Sequence, residues 1–204
     1  MRVSKRTSMA RYLCIDFETN GFSDSKGEFS RENWTLPFSS FPTQVSVDVV
    51  EGGVVEHVYD TVICGATGLS KWAKANVNLT LEDIAKGKPF GNVVKDLAAL
   101  MDDNTVVVAH NASFDLGMAL KRTAAKLGID DKSIDKILKL PAKQRLCTMR
   151  CAYSKAVFGK QLPKLIDLCA HFGVELRDAH DARADSFALA QCVAVAWRRG
   201  VMLD

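Results

Sequence analysis

Runs of apolar residues predict strands early in the chain and a largely helical second half. Strands are predicted at 11–17, 43–50, 54–62, 105–109 and 145–148. Helices are predicted at 81–86, 91–101, 112–127, 132–139, 148–158, 163–172 and 182–198. Gly52 and Gly53 mark a hairpin between the second and third strands. Because strands and helices alternate late in the chain, we expect an α/β sandwich.

The first acidic cluster ends the first strand, where Asp16 and Glu18 precede the turn signal Thr19-Asn20-Gly21. Side chains two positions apart on a strand point to the same face, so these two carboxylates converge. An isolated pair of this kind faces solvent without a function in about nine cases of ten. Asp16 and Glu18 therefore indicate a functional site only together with the other acidic clusters.

The second cluster follows the apolar run 105–109, which is typical of a buried parallel strand. His110 and Asn111 lie at the exit of that strand, and Asp115 lies in the first turn of the helix predicted next. The carboxyl end of such a strand faces a crevice. Taken alone, this cluster favours a structural role over a functional one by about two to one. In the structural role, Asp115 complements the helix dipole while His110 and Asn111 satisfy backbone groups.

The third cluster contains His180 and Asp185 and leads into the last long helix. Five residues of helix rotate by about 500°, so His180 belongs in the entering loop if it shares a site with Asp185. Either Asp178 or Asp181 caps the helix, and neither is assigned to catalysis. The remaining histidines stay outside the site: His171 is predicted at a helix end, and His57 lacks an identifiable acidic partner.

Together the three clusters resemble the DEDDh family of 3′→5′ exonucleases, which includes polymerase proofreading subunits and RNase T-like enzymes. The matching motifs are Asp16-Phe17-Glu18-Thr19, His110-Asn111-Ala112-Ser113-Phe114-Asp115 and His180-Asp181-Ala182-Arg183-Ala184-Asp185. They extend over nearly the whole chain in the order that the family uses. The resemblance implies an RNase H-like exonuclease fold, with a mixed five-stranded sheet flanked by helices and one strand antiparallel to the rest.

The resemblance also implies a cofactor of two Mg²⁺ or Mn²⁺ ions, whose preferred ligands are hard oxygens. Asp16 would contact both ions. Glu18 and Asp185 would complete the site of one ion, and Asp115 would support the other. Without metal, four carboxylates this close would repel one another and raise at least one pKa.

His180 would be the general base by the same resemblance, and histidine suits that role because it titrates near neutral pH. A loop histidine that merely faces solvent is the ordinary alternative. Thr19, Asn111 and Phe114 would line the pocket of the terminal nucleotide, although Phe114 also fits a position in the core.

Length and composition agree with one compact domain. The chain has 204 residues, of which 48% are hydrophobic, and we expect a flexible basic N-terminus at 1–10 before a single exonuclease domain at 11–204. The net charge of +3 permits nucleic-acid binding without establishing it.

The six cysteines of the chain form no Cys-x-x-Cys pair and are expected to be reduced core thiols. No apolar run approaches a membrane span, so a soluble, cytoplasmic protein is expected.

The acidic clusters and the resemblance together predict a metal-dependent exonuclease that acts on single-stranded or frayed DNA. Cleavage from the 3′ end and release of nucleoside 5′-monophosphates are what the resemblance implies. An exoribonuclease acting on RNA 3′ ends is the alternative among enzymes. The alternative from another class is a non-cleaving scaffold that binds nucleic acid or a polymerase, and the complete set of carboxylates counts against it. A polymerase or other accessory protein is a further candidate partner. The aromatic segment at 21–42 is expected to influence substrate choice.

Overall fold

The computed structural model describes residues 10–21 and 40–201. Most of the basic N-terminus at 1–10 and of the aromatic segment at 21–42 lies outside the described residues. The expected domain boundary near residue 10, and the influence of the aromatic segment on substrate choice, therefore stay predictions.

Within the described residues, six strands form a mixed sheet at the centre of the fold, in the order β4-β3-β2-β1-β5-β6. The strands are β1 Arg11–Thr19, β2 Pro42–Glu51, β3 Val54–Cys64, β4 Lys88–Pro89, β5 Thr105–Ala109 and β6 Arg145–Cys147. Only β2 runs against its neighbours, which confirms the predicted single antiparallel strand. The predicted count of five was one too low. The additional strand, β4, has two residues, one of them proline, and so carries no apolar run to mark it.

Helices cover both faces of this sheet. They are α1 Lys71–Asn76, α2 Leu81–Ala85, α3 Phe90–Ala99, α4 Thr123–Lys126, α5 Asp135–Leu138, α6 Ala152–Phe158, α7 Leu165–Phe172 and α8 Ala182–Arg198. A π-helix, Ser113–Arg122, runs directly into α4 and occupies most of the helix predicted at 112–127. The sequence pattern missed α1 and began α6 four residues early, because a turn follows β6 before that helix starts.

Two hydrophobic cores lie on opposite faces of the sheet, and β1 contributes to both by alternation. Leu13, Ile15 and Phe17 pack into the core that includes α3 and the π-helix. Cys14 packs on the other side, against α7 and α8. Because successive side chains alternate, Asp16 and Glu18 emerge on the α8 side, where β1 ends. The strand thus presents both carboxylates to the start of the last helix.

The start of α8 is fixed by its cap. The Asp181 carboxylate accepts hydrogen bonds from the backbone N–H groups of Arg183 and Ala184, at 3.0 and 3.1 Å. This contact identifies Asp181 as the capping residue, a choice that the sequence left open between Asp178 and Asp181. The cap places Asp185 in the first turn of the helix.

Candidate active site

The structure brings the first two acidic clusters together at the end of β1. Asp115, in the first turn of the π-helix, accepts a hydrogen bond at Oδ1 from the backbone N–H of Phe17, at 3.1 Å. Phe17 lies between Asp16 and Glu18 in the sequence. Glu18 and Asp115 are both buried. A side chain 98 residues away in sequence is therefore joined directly to the strand that carries the first pair.

The third cluster meets the same place from α8. The backbone N–H of His180 donates to Asp185 Oδ2 at 3.2 Å. One ligand atom from each of Glu18, His180 and Asp185 lies within 4.8 Å of the other two. The His180 side chain is exposed, and its backbone has a φ of 72°, in the left-handed region. As predicted, His180 belongs to the loop that enters the helix.

The pKa values of Asp16, Glu18, Asp115 and Asp185 are all raised, by burial first and by the charges of neighbouring carboxylates in addition. Burial raises the pKa of Asp16 well above its ordinary value, and the charges of Asp115 and Glu18 raise it further. Burial, followed by the charge of Asp185, raises the pKa of Glu18 to about 8. Burial raises the pKa of Asp115 to about 7 despite the backbone hydrogen bonds that it accepts, and burial also raises the pKa of Asp185.

The unpaired oxygens of this cluster fit a divalent cation. Within residues 10–21 and 40–201, three buried side-chain oxygens lack a hydrogen-bond partner, and two of them are Asp16 Oδ2 and Asp185 Oδ1. A buried oxygen without a donor costs free energy that a cation would offset. Carboxylate oxygens are the ligands that Mg²⁺ and Mn²⁺ prefer. The geometry and the donor type thus agree with a metal site.

The three residues predicted to line a nucleotide pocket lie beside these carboxylates in the chain. Thr19 is buried, and its hydroxyl accepts a hydrogen bond from the backbone N–H of Gly21 at 3.3 Å. The Asn111 carbonyl accepts from the N–H groups of Phe114 and Asp115, at 2.7 and 3.1 Å. Both Asn111 and Phe114 are half-buried. Their contacts place them at the edge of the site, and their roles toward substrate stay predictions.

An aromatic neighbour of His180 was not predicted from the sequence. The Trp72 ring, on α1, packs edge-on against the His180 ring, with 5.0 Å between ring centroids. A cavity of about 720 Å³ opens beside His180 and is also lined by Asn76, Arg183 and Phe187. Trp72 was missed because α1 is short and its pattern too brief to predict.

His57 does have an acidic partner, contrary to the prediction. Its Nδ1 lies 3.2 Å from Oδ1 of Asp48, which faces it across the β2–β3 pair. The two residues are nine apart in sequence and meet only through the hairpin. His171 lies in the last turn of α7, as predicted.

His110 has a structural role in the same region. Its two ring nitrogens lie 3.0 Å from Thr148 Oγ1 and 3.0 Å from the carbonyl oxygen of Pro163. Burial lowers the pKa of His110, which favours the neutral ring. The residue therefore ties the end of β5 to the segments that follow β6 and precede α7.

The mixed sheet and the acidic cluster at the end of β1 are the features expected of a nuclease. A family model described as "Exonuclease", RNase_T, matches residues 13–193. The chain therefore belongs to this exonuclease family, which confirms the resemblance predicted from the three motifs. A comparison with curated protein sequences returns no match.

Solved exonuclease structures share this fold. A 3′-exonuclease that recognises the 3′ end of a histone mRNA stem-loop has a TM-score of 0.70 and 14% identity, covering 94% of this chain and 83% of that chain. Exonuclease X bound to 5′ overhanging duplex DNA has a TM-score of 0.60 and 15% identity, covering 95% of each chain. E. coli exonuclease I in complex with a dA16 oligonucleotide has a TM-score of 0.64 and 17% identity, covering 92% of this chain and 40% of that one.

The described part of the chain also bears on two expectations from composition. None of its helices is both long and apolar enough to cross a membrane. All six cysteines are free, and Cys14, Cys151, Cys169 and Cys192 are buried.

Proposed function

We propose that this protein is a divalent-metal-dependent 3′→5′ exonuclease of the DEDDh type that shortens single-stranded or frayed DNA and releases nucleoside 5′-monophosphates. One observation carries the proposal. Carboxylates from three separate segments meet at one point, and two of their buried oxygens, on Asp16 and Asp185, have no hydrogen-bond donor. A cluster that is unfavourable by itself is well suited to holding cations.

Four residues would hold two Mg²⁺ or Mn²⁺ ions: Asp16, Glu18, Asp115 and Asp185. When bound, the ions would lower the pKa of the attacking water and offset charge that develops on the phosphoryl group and the leaving oxygen. The protein keeps Asp115 in place through the backbone of Phe17 and keeps Asp185 in place through the backbone of His180. The Phe17 contact occupies Asp115 Oδ1, and the His180 contact occupies Asp185 Oδ2 while Asp185 Oδ1 is left without a donor.

His180 is the proposed general base. Its side chain is exposed, so water and substrate reach the imidazole from the cavity beside it. A ring nitrogen would take the proton of the attacking water and pass it to solvent. Its loop position holds the ring near Glu18 and Asp185, within the 4.8 Å cluster of ligand atoms. Thr19, Asn111 and Phe114 would contact the terminal nucleotide.

Direction and substrate class draw support from the relatives in fold. One of them is called a 3′-exonuclease and recognises RNA, while exonuclease X and exonuclease I are bound to DNA. The two relatives bound to DNA support DNA as the proposed substrate of this protein. The relative that recognises RNA makes an exoribonuclease the second candidate. The protein would act alone or with a polymerase or other accessory protein.

The test is a time course on 5′-labelled single strands of DNA and RNA with the same sequence, in Mg²⁺, Mn²⁺ or EDTA. A ladder that shortens from the 3′ end with metal, and is absent in EDTA and in Asp16→Asn, is the expected result. Asp103→Asn is the matched control, because it makes the same chemical change at an exposed residue in the turn before β5, at the opposite end of that strand from the cluster. The faster polymer identifies the substrate. Failure to cleave either polymer would favour the non-cleaving scaffold.

A further inference from the structure

The face of β2 that lies beneath α8 is polar although it is buried. Gln44, Ser46 and Asp48 alternate along the strand with valines, and the valines pack into the opposite core. The Ser46 and Asp48 side chains are fully buried, and Gln44 is nearly so. Buried sheet faces are ordinarily apolar. Three polar side chains in a row under one helix therefore need a reason.

These side chains hold the first turn of α8. The Ser186 hydroxyl donates to Asp48 Oδ2 at 2.6 Å and lies 2.9 Å from Ser46 Oγ. Gln44 Oε1 accepts a hydrogen bond from the backbone N–H of Ala182 at 3.3 Å. The strand thus contacts the helix on both sides of Asp185, at Ala182 and at Ser186.

Asp185 has little else to orient it. Its Oδ2 accepts the His180 N–H, while its Oδ1 is buried without a hydrogen-bond partner among the described residues. The direction of its carboxylate therefore depends on how the backbone of this helical turn is placed over β2. Ser186 is the next residue, and the 2.6 Å hydrogen bond from its hydroxyl to Asp48 is shorter than the Gln44–Ala182 bond at 3.3 Å.

Asp48 is a costly way to make a purely structural contact. Burial raises its pKa, and the hydrogen bond from Ser186 offsets only part of that effect. Apolar residues of similar size in place of a buried polar contact are often neutral or stabilising, so stability alone does not account for a buried carboxyl group here. His57 occupies its other oxygen, which leaves Asp48 fixed between β3 and α8.

We propose that Asp48 and Ser186 are positioning residues that set the place of the Asp185 carboxylate in the metal site, an inference that rests on the proposed function. Partners that orient metal ligands commonly change metal affinity or activity by about 10–100-fold when they are removed. Asp48 acts at one remove, through Ser186 and the helix backbone. Neither residue touches the substrate in this account.

The test measures Mn²⁺ affinity by calorimetry, together with kcat and KM on the cleaved polymer, for Ser186→Ala. Tyr59→Phe is the matched control, because it also removes a hydroxyl that donates to a carboxylate, at 2.8 Å to Asp96, on a part of β3 outside the acidic cluster. We expect Ser186→Ala to weaken Mn²⁺ binding and to lower kcat, each by about 10–100-fold, with KM for the 3′ end within about twofold. Tyr59→Phe should keep both values.

Melting temperatures distinguish positioning from general loosening. If Ser186→Ala and Tyr59→Phe lose similar stability but only Ser186→Ala loses Mn²⁺ affinity, the positioning role is supported. Mn²⁺ affinity and kcat within twofold of wild type in Ser186→Ala would overturn it. Asp48→Asn makes the same test if Ser186→Ala does not fold. A wild-type protein that neither binds Mn²⁺ nor cleaves would instead refute the proposed function, and this inference with it.

Discussion

Without bound metal, the protein should become less stable to unfolding as the pH rises from 5 to 7. The effect follows from Glu18, whose pKa is about 8 in the folded chain against 4.5 for an ordinary glutamate. A raised carboxyl pKa means that the native state holds a proton which the unfolded state has released. Below pH 4.5 both states are protonated and no penalty exists. Above that pH the penalty grows until Glu18 ionises in the native state near pH 8.

The size of the effect follows from the same two values. Between pH 5 and pH 7 the native state carries nearly one more proton on Glu18 than the unfolded state. One proton corresponds to about 1.4 kcal/mol of unfolding free energy per pH unit, so Glu18 alone lowers stability by about 2.5 kcal/mol over this interval. Asp115, with a pKa of about 7, changes stability in the same direction.

Urea denaturation in EDTA at several pH values measures this loss, and Glu18→Gln isolates the contribution of Glu18. Glutamine cannot ionise, so the variant should become more stable than wild type by a margin that widens by about 2.5 kcal/mol from pH 5 to pH 7. Saturating Mn²⁺ should remove most of the pH dependence from the wild type. A margin that stays constant or shrinks with rising pH would refute the reasoning.

Three further predictions follow from other contacts. His180→Ala should lower kcat by about 10²–10⁴-fold while Mn²⁺ affinity stays within a few-fold; equal rates at every pH would remove the general-base role. His110→Ala should cost about 2–4 kcal/mol in urea denaturation, because it deletes a buried ring with two hydrogen-bond partners; a smaller loss than 1 kcal/mol would contradict the structural role. Asp181→Ala should cost about 1 kcal/mol by losing the α8 cap, and an unchanged melting temperature would count against that cap.

The features that the sequence predicted best are those with long or regular patterns. The apolar run at 105–109 coincides with β5, and the helix predicted at 182–198 coincides with α8. The order of the three acidic motifs was sufficient to group Glu18, Asp115 and Asp185. Short elements were lost, since α1 has six residues and β4 has two.

Contacts between distant segments were beyond the reach of local patterns. The link between Asp48 and Ser186 spans 138 residues, and nothing in either segment by itself names the other. A signal was nevertheless present, because β2 alternates polar residues with valines in a strand that the fold buries on both faces. His57 and Asp48 lie on different strands in the sequence, and only the β2–β3 hairpin brings them together in space. The register of the predicted hairpin would have located His57, whereas Ser186 could be found only from the packing of α8 on β2.

The most direct test of the metal site is a calorimetric titration of the protein with Mn²⁺ in the presence of a nucleoside 5′-monophosphate. Wild type and Asp103→Asn should each bind two ions per chain, and Asp16→Asn should lose at least one, because Asp16 is the proposed contact to both. Binding of two ions by Asp16→Asn with undiminished affinity, or no binding by wild type, would contradict the account.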